Sequence, residues 1–179
     1  MIDPQRRRVL RTLGIGTAAL IGGVGTATAR PPQGASAEKN LVETAIALND
    51  SGQYAGAFDE LIDAVVNTGL DATLSDEDEQ FTVFAPIDDG FENVYAADNG
   101  IDDATDVPAG ILLYHVTDGR RYSPSVVNAS EIEMLNGGTV TVDDTTLNGG
   151  QAEIFVTNVE ASNGLIHAIE PGNPGVLIP

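Results

Sequence analysis

The residues of this chain best suited to acid–base chemistry near neutral pH are its two histidines, His115 and His167, because histidine titrates in that range. A hydrolase would place one of them beside a nucleophile. The sequence has no cysteine and none of the G-x-S-x-G, H-E-x-x-H or G-x-x-x-x-G-K-[ST] motifs of common catalytic and phosphate-binding sites. We therefore predict a non-enzymatic protein with structural histidines. A hydrolase that uses His115 is the less favoured alternative.

The carboxylates offer a second kind of chemistry, metal binding, at two clusters, Asp76-Glu77-Asp78-Glu79 and Asp88-Asp89. Calcium takes roughly six to eight oxygen ligands from a closed loop. The D-x-[DN]-x-[DN]-G pattern of such a loop is absent from the sequence. We therefore interpret the first cluster as solvated acidic surface and the second as the first turn of a helix, and we expect no metal site and no cofactor.

Helical spacing dominates the first half of the chain and strand spacing the second half. Asn40 and Glu43 form the pattern of a capping box at a helix start. Apolar residues at 58, 61, 62, 65 and 66 share one helix face, and Gly69 suits the end of that helix. Helices grouped early and strands grouped late indicate an α+β fold. The predicted strands are Phe81 to Ala85, Thr139 to Val142, Ile154 to Val159 and Leu165 to Ile169.

Two Asn-Gly pairs, beginning at Asn136 and Asn163, are typical of tight turns between strands, since both residue types tolerate the positive φ that such turns need. The second pair precedes a strand on which His167 alternates with apolar residues, so we expect its imidazole to lie in or near the core. His115 follows Tyr114 at the predicted change from helix to strand. We expect hydrogen bonds within the fold to hold the His115 ring.

Residues 1–29 have the pattern of a twin-arginine export signal. Arg6 and Arg7 precede a weakly apolar stretch that ends in an Ala-x-Ala sequence at Ala29. An uncleaved membrane anchor is the alternative, because a stretch of about 18 residues just suffices to span a bilayer; we favour cleavage because the stretch is rich in glycine. Residues 30–37 are interpreted as a linker, given their prolines and small polar residues, and residues 38–179 as one folded domain.

The predicted exported part is strongly acidic. Residues 1–29 contain four of the eight basic residues and one of the 27 acidic ones, which leaves 4 minus 26, or a formal charge of −22. Such a charge repels itself in dilute buffer and is screened at high salt, so we predict a halophilic, archaeal source; a mesophilic acidic secreted protein is the alternative. Nucleic acids and anionic membrane surfaces are poor partners for it. Asn49 and Asn128 begin sequons for glycosylation.

Three further patterns stand in a fixed order along the chain. They are Phe81-Thr82-Val83-Phe84-Ala85-Pro86 with Phe91 after it, Tyr114-His115, and the strand-turn-strand around Asn163-Gly164. Together they resemble the signatures of the fasciclin (FAS1, beta-Ig-h3) domain family over residues 38–179. The resemblance implies a FAS1-like fold, with N-terminal helices packed on an antiparallel sheet in a wedge or sandwich. It implies signature or core roles for Phe81, Val83, Phe84, Pro86, Phe91, Asn163, Gly164 and His167.

Two features depart from the family pattern: Gly90 stands where alanine is usual, and residues 171–175 are inserted before the C-terminus. The resemblance implies adhesion, because the Tyr-His segment is implicated in cell adhesion in animal relatives, so Tyr114 and His115 are the candidate binding residues. We predict an exported, monomeric, single-domain surface-interaction module whose partner is a cell-surface or matrix protein or a glycan. Membrane contact is expected only if the signal stays uncleaved. The alternative is a carrier that holds a small apolar ligand in a cleft between sheet and helices.

Overall fold

The computed structural model of the protein describes residues 38–96, 100–172 and 176–179. Arg6, Arg7, Ala29 and the linker at 30–37 lie outside these residues, as does part of the insertion at 171–175, so the predictions made on them stay predictions. Within the described residues, no helix is both long enough and apolar enough to cross a membrane.

Helices begin the domain and recur between its strands. Both features predicted for the first two helices are confirmed. The Asn40 side chain accepts from the Glu43 backbone N–H at 2.9 Å, while the Glu43 carboxylate accepts from the Asn40 N–H at 3.2 Å. Gly69 ends the second helix with a φ of 73°. The helices are α1 Leu41–Asp50, α2 Asp59–Thr68, α3 Leu70–Leu74, α4 Asp88–Tyr95, α5 Ala109–Leu113 and α6 Ser123–Val127, with a 3-10 helix at Ala104–Asp106.

The strands form one seven-stranded sheet, and the four strands predicted from the sequence are confirmed. Their bounds are β1 Phe81–Pro86, β2 Val116–Asp118, β3 Glu131–Glu133, β4 Thr139–Asp143, β5 Thr146–Leu147, β6 Ala152–Ala161 and β7 Gly164–Pro171. Their order across the sheet is β2-β1-β7-β6-β5-β4-β3. Helices packed on this sheet give the α+β class that the sequence predicts.

The sheet is mixed, whereas the expectation was an antiparallel one. β1 pairs with β7 in parallel, which places Phe84 beside His167. The other strand pairs of the described residues are antiparallel. Parallel neighbours need a long connection, and here the whole segment between the two strands supplies it. A hairpin pattern reveals only strands that are adjacent in sequence, so it does not reveal the partner of β1.

Two apolar cores lie on opposite faces of β1, whose six residues are all buried. Phe81, Val83 and Ala85 belong to the core that contains residues of α1, α2 and α4, including Phe91. Phe84 belongs to the other core, with residues of α6, β3, β4 and β5. Alternate strand residues face opposite sides of a sheet, so β1 joins the two cores. Because the chain has no disulfide, the domain rests on this packing.

Candidate functional site

His115 lies between α5 and β2 with 2% of its surface exposed. Its Nδ1 atom is 2.8 Å from the backbone oxygen of Ile111, and the backbone N–H of Leu177 donates to its Nε2 atom at 2.9 Å. A carbonyl oxygen only accepts and an amide N–H only donates, so this pair of partners requires a neutral ring protonated on Nδ1. The imidazole therefore joins α5 to the C-terminal segment and has no nitrogen free for a substrate.

Tyr114 is buried beside it and joins a different set of elements. Its hydroxyl donates to the backbone oxygen of Thr139 on β4 at 2.7 Å and accepts from Nδ2 of Asn148 at 3.0 Å. The same Asn148 amide contacts the backbone oxygen of Ile178 at 3.3 Å. The Tyr-His segment thus holds the β4–β5 hairpin and the C-terminus against α5.

His167 is fully buried on β7. Its Nε2 atom is 2.8 Å from the backbone oxygen of Arg121, and the backbone N–H of Asn158 approaches its Nδ1 atom at 3.4 Å. Its ring stacks on Phe84, with 5.7 Å between ring centroids and 25° between planes. Burial lowers the pKa of this imidazole. His167 is therefore a neutral packing residue with hydrogen bonds at both nitrogens.

Neither histidine has a side-chain nucleophile among its hydrogen-bond partners, and the described part of the chain holds no group of three or more histidine, cysteine or acidic side chains placed to bind a metal. This geometry agrees with the structural interpretation of His115. Binding by Tyr114 and His115 stays a prediction. Because both side chains are buried, a partner would reach them only after the segment opened locally.

Asp88 lies in the first turn of a helix, as predicted, but its carboxylate caps a different helix. Its Oδ1 atom accepts from the backbone N–H of Glu60 at 3.0 Å, at the start of α2. The residue before α2, Phe58, makes no side-chain cap. Burial raises the pKa of Asp88 to about 6, and the negative charges of Asp59 and Glu60 add to this shift. Asp88 thus joins α4 to α2.

Asn163 has a larger role than its predicted place in a turn indicates. Its side chain is fully buried. The side-chain oxygen accepts from the Leu41 N–H at 2.8 Å, and the amide nitrogen donates to the backbone oxygens of Leu74 at 2.8 Å and Asp76 at 2.9 Å. One side chain therefore ties the turn before β7 to the start of α1 and the end of α3. No local pattern in the sequence signals these contacts.

A narrow apolar cleft opens between α1, α2 and the sheet. Its volume is about 40 Å³. This is the kind of cleft in which the sequence analysis placed a small apolar ligand. Its lining is Leu41, Val42, Ala45, Leu61, Ile62, Val65, Val66, Leu74, Val83, Ala85 and Ile166.

The relationship of this chain to known proteins agrees with its fold. A model of the family described as Fasciclin domain matches residues 56–171. The chain belongs to the fasciclin family. Protein sll1483 of Synechocystis sp. (strain ATCC 27184 / PCC 6803 / Kazusa) is 34% identical over 118 residues, which cover 63% of this fasciclin chain and 64% of that protein. The uncharacterized protein sll1735 of the same strain is 30% identical over 134 residues, which cover 73% of this chain and 94% of that protein.

A solved structure of a FAS1 domain pair from the insect cell adhesion molecule Fasciclin I has a TM-score of 0.54 to this fasciclin domain. Sequence identity is 15%, and the match covers 77% of this chain and 53% of the domain pair. At that identity the match shows the fold alone. The chain thus spans about half of the domain pair and 64% of the sll1483 protein.

The two sequon asparagines of the fasciclin domain make hydrogen bonds within the fold. Asn49 Nδ2 donates to Asp59 at 2.8 Å while its Oδ1 accepts from the Phe58 N–H at 2.9 Å. Asn128 Nδ2 donates to the backbone oxygen of Pro124 at 2.7 Å. A glycan is attached through this nitrogen, so glycosylation at either position would compete with these contacts. Glycosylation stays a prediction.

His115 is expected to lower the stability of the fasciclin domain as pH falls from about 6.5 to about 4. Burial lowers the pKa of His115 from 6.5 to about 4. Over this range the unfolded chain binds a proton that the folded chain does not, which costs roughly 3 kcal/mol of unfolding free energy. Asp88 opposes this effect over much of the same range, because burial raises its pKa from 3.8 to about 6, so that the folded state binds a proton there before the unfolded chain does. The two pKa shifts are similar in size, so the stability of the unmodified chain should change little between about pH 6 and 4.

Urea unfolding measured across this pH range checks that expectation. In His115→Gln the new side-chain oxygen can still accept from Leu177, but nothing titrates at this position, so stability should rise as pH falls from about 6 to 4 through proton uptake by Asp88. Asp88→Asn is the control with the opposite sign: it removes that proton uptake, so stability should fall toward low pH. A slope in His115→Gln equal to that of the unmodified chain would contradict the assignment.

Proposed function

We propose that this fasciclin domain is a non-enzymatic interaction module that acts in adhesion, matrix or surface-layer association. The observation that carries the non-enzymatic part is that all four ring nitrogens of His115 and His167 have hydrogen-bond partners within the fold. A general base needs a nitrogen within hydrogen-bond reach of a substrate proton. The interaction part is supported by the fold shared with a protein described as an insect cell adhesion molecule.

The proposed place of action is the cell surface or the exterior. Arg6, Arg7 and the Ala-x-Ala sequence ending at Ala29 support export of the folded domain by the twin-arginine route. The charge of −22 on the exported part, obtained above as 4 minus 26, supports a saline exterior in which charge repulsion is screened. The partner we propose is a cell-surface or matrix protein or a glycan, bound by a monomeric domain.

The contact we assign to this function is Phe155, an exposed aromatic residue that packs against the partly buried Tyr54. Phe155 on β6 is 39% exposed, and its ring meets Tyr54 edge-on with 6.0 Å between centroids. Aromatic anchors are enriched among the residues that dominate binding energy. At high salt an apolar contact also keeps its strength while exposed ion pairs weaken. Substitution of Phe155 should therefore weaken binding without unfolding the domain.

Cell binding tests the proposed function. Labelled full chain is incubated with intact source cells at the salt of their growth medium, with unlabelled chain as competitor. We expect saturable, competed binding that Phe155→Ala weakens by about tenfold. Leu135→Ala is the matched control, because Leu135 is also a large apolar residue and is 37% exposed; its binding should be unchanged. Binding that does not saturate, or that both variants weaken equally, would count against an adhesive contact at this face.

Two other functions are separated from this one by direct measurements. A hydrolase that uses His115 would lose turnover in His115→Gln while the fold survives, but the engaged ring nitrogens give this hypothesis no support.

Carriage of a small apolar ligand is the second candidate function. The specific observation that favours it is the all-apolar cleft between α1, α2 and the sheet, since ligand sites are concave and mostly apolar.

A further inference from the structure

The cleft exposes apolar groups at its rim that the core does not cover. Val66 belongs to the lining and is 56% exposed. Exposed apolar surface beside a concave apolar site is typical of ligand grooves. We propose that this cleft binds one hydrocarbon chain of an amphiphile whose head group is neutral or cationic.

The volume of the cleft limits the occupant to a single chain. The about 40 Å³ of this cleft is far below the roughly 300 to 1,000 Å³ of pockets that enclose a whole ligand, so only the end of a hydrocarbon chain enters it. A fused-ring ligand does not fit such a space. The inner end of one chain fills it, and the rest of the chain lies along the open mouth, where Ile62 and Val66 continue the apolar lining.

The charge around the mouth selects the head group. The two helices that border the cleft, α1 and α2, carry five carboxylates and no lysine or arginine. The carboxylates belong to Glu43, Asp50, Asp59, Glu60 and Asp63. Lys39, just before α1, is the one basic residue in the described segment 38–79. Surface charge of one sign repels a ligand of the same charge and attracts a ligand of the opposite charge. A fatty-acid anion is therefore disfavoured at this mouth, and a neutral or cationic head is favoured.

Three amphiphiles that share a dodecyl-length chain test the head-group selection. They are monododecanoylglycerol, which is neutral, dodecyltrimethylammonium, which is cationic, and dodecanoate, which is anionic. Each is titrated into the full chain below its micelle-forming concentration, while circular dichroism monitors the fold. At about 0.15 M salt we expect one molecule bound per chain for the first two, and binding of dodecanoate about tenfold weaker. At about 1 M salt the difference should shrink, because the screening length falls to about 3 Å.

The location is tested by filling the cleft. Ala45→Phe places a ring in the lining and should weaken binding of monododecanoylglycerol at least about tenfold. Ala47→Phe is the matched control, since it lies on the same helix about 200° away around the axis and outside the lining. If Ala45→Phe does not fold, methyl NMR of the unmodified chain gives the answer: shifts on titration should concentrate at Ala45 and Val65.

This inference rests on the carrier function and not on the adhesive one. Equal binding by Ala45→Phe and Ala47→Phe, methyl shifts away from the cleft, or tighter binding of dodecanoate than of the neutral probe would each overturn it. The cell-binding assay depends on Phe155, which lies outside the cleft lining. If the cleft proposal fails, saturable cell binding should still be observed. If the adhesive proposal fails, binding of the amphiphiles should still be observed.

Discussion

Gly164→Ala is expected to destabilise the fasciclin domain by about 3 kcal/mol or more, a large share of the stability of a typical domain. An alanine Cβ at this position would overlap the backbone oxygen of Phe81 and would lie 2.9 Å from a methyl carbon of Leu41. Rotation of a side chain cannot relieve the nearer contact, because Phe81 pairs with Gly164 in the parallel β1–β7 ladder. The added methyl group must therefore separate β1 from β7 or shift α1.

Gly110→Ala is the matched control for this substitution. Gly110 lies in α5, and a Cβ added there would meet no heavy atom within 4 Å. Alanine favours a helix over glycine, so this variant should keep or gain up to about 1 kcal/mol of stability. Urea unfolding at high salt compares the two variants. A loss below about 1 kcal/mol for Gly164→Ala would show that the ladder adapts, contrary to the overpacking expected here.

The same glycine shows where sequence reasoning reached its limit. The Asn163-Gly164 pair indicates a turn, and a turn lies there, but Gly164 is not among the glycines with positive φ, whereas Gly137 of the other pair has a φ of 83°. Glycine is required at 164 because another strand passes close to its Cα. Turn propensity reports on the local backbone. It holds no information about a strand that approaches from a distant part of the chain.

The features that the sequence predicted correctly are local ones. The capping box at Asn40, the helical period before Gly69 and the alternation within the strands depend on residues a few positions apart, where backbone geometry alone relates them. The parallel pairing of β1 and β7 and the capping of α2 by Asp88 join segments far apart in the chain. Such contacts depend on how completed elements pack, so no spacing in the sequence reveals them.

The candidate site likewise has local features that the sequence predicted and long-range contacts that it did not. The absence of catalytic motifs favoured structural roles for both histidines, and the alternation of His167 with apolar residues on a strand favoured a place in the core for its ring. The sequence could not show that the Leu177 N–H donates to His115, since 62 residues separate them. The sequence placed a cleft between sheet and helices only as part of the alternative hypothesis of a ligand carrier. Its width and its acidic surroundings depend on how α1 and α2 lie together, which amphipathic spacing does not determine.

Asn163→Asp is expected to destabilise the domain by about 3 to 5 kcal/mol at neutral pH. A carboxylate in this fully buried position could still accept from the Leu41 N–H. It could not donate to the backbone oxygens of Leu74 and Asp76, which now accept from the amide nitrogen. The substitution therefore sets a buried negative charge against two unpaired carbonyl oxygens, a combination that costs far more than one lost hydrogen bond.

Asn136→Asp places the same substitution in the other Asn-Gly pair. Asn136 is exposed, accepts from the Gly138 N–H at 2.8 Å and donates to the Gly110 oxygen at 3.2 Å, so its carboxylate keeps the acceptor role and stays in water. Its cost should be below about 1 kcal/mol in urea unfolding at high salt. Equal losses of stability at the two positions would show that Asn163 acts only as a turn residue. A large cost at Asn163 alone would mean that this side chain holds α1 and the end of α3 in place, and with them Leu41 and Leu74, which both line the cleft.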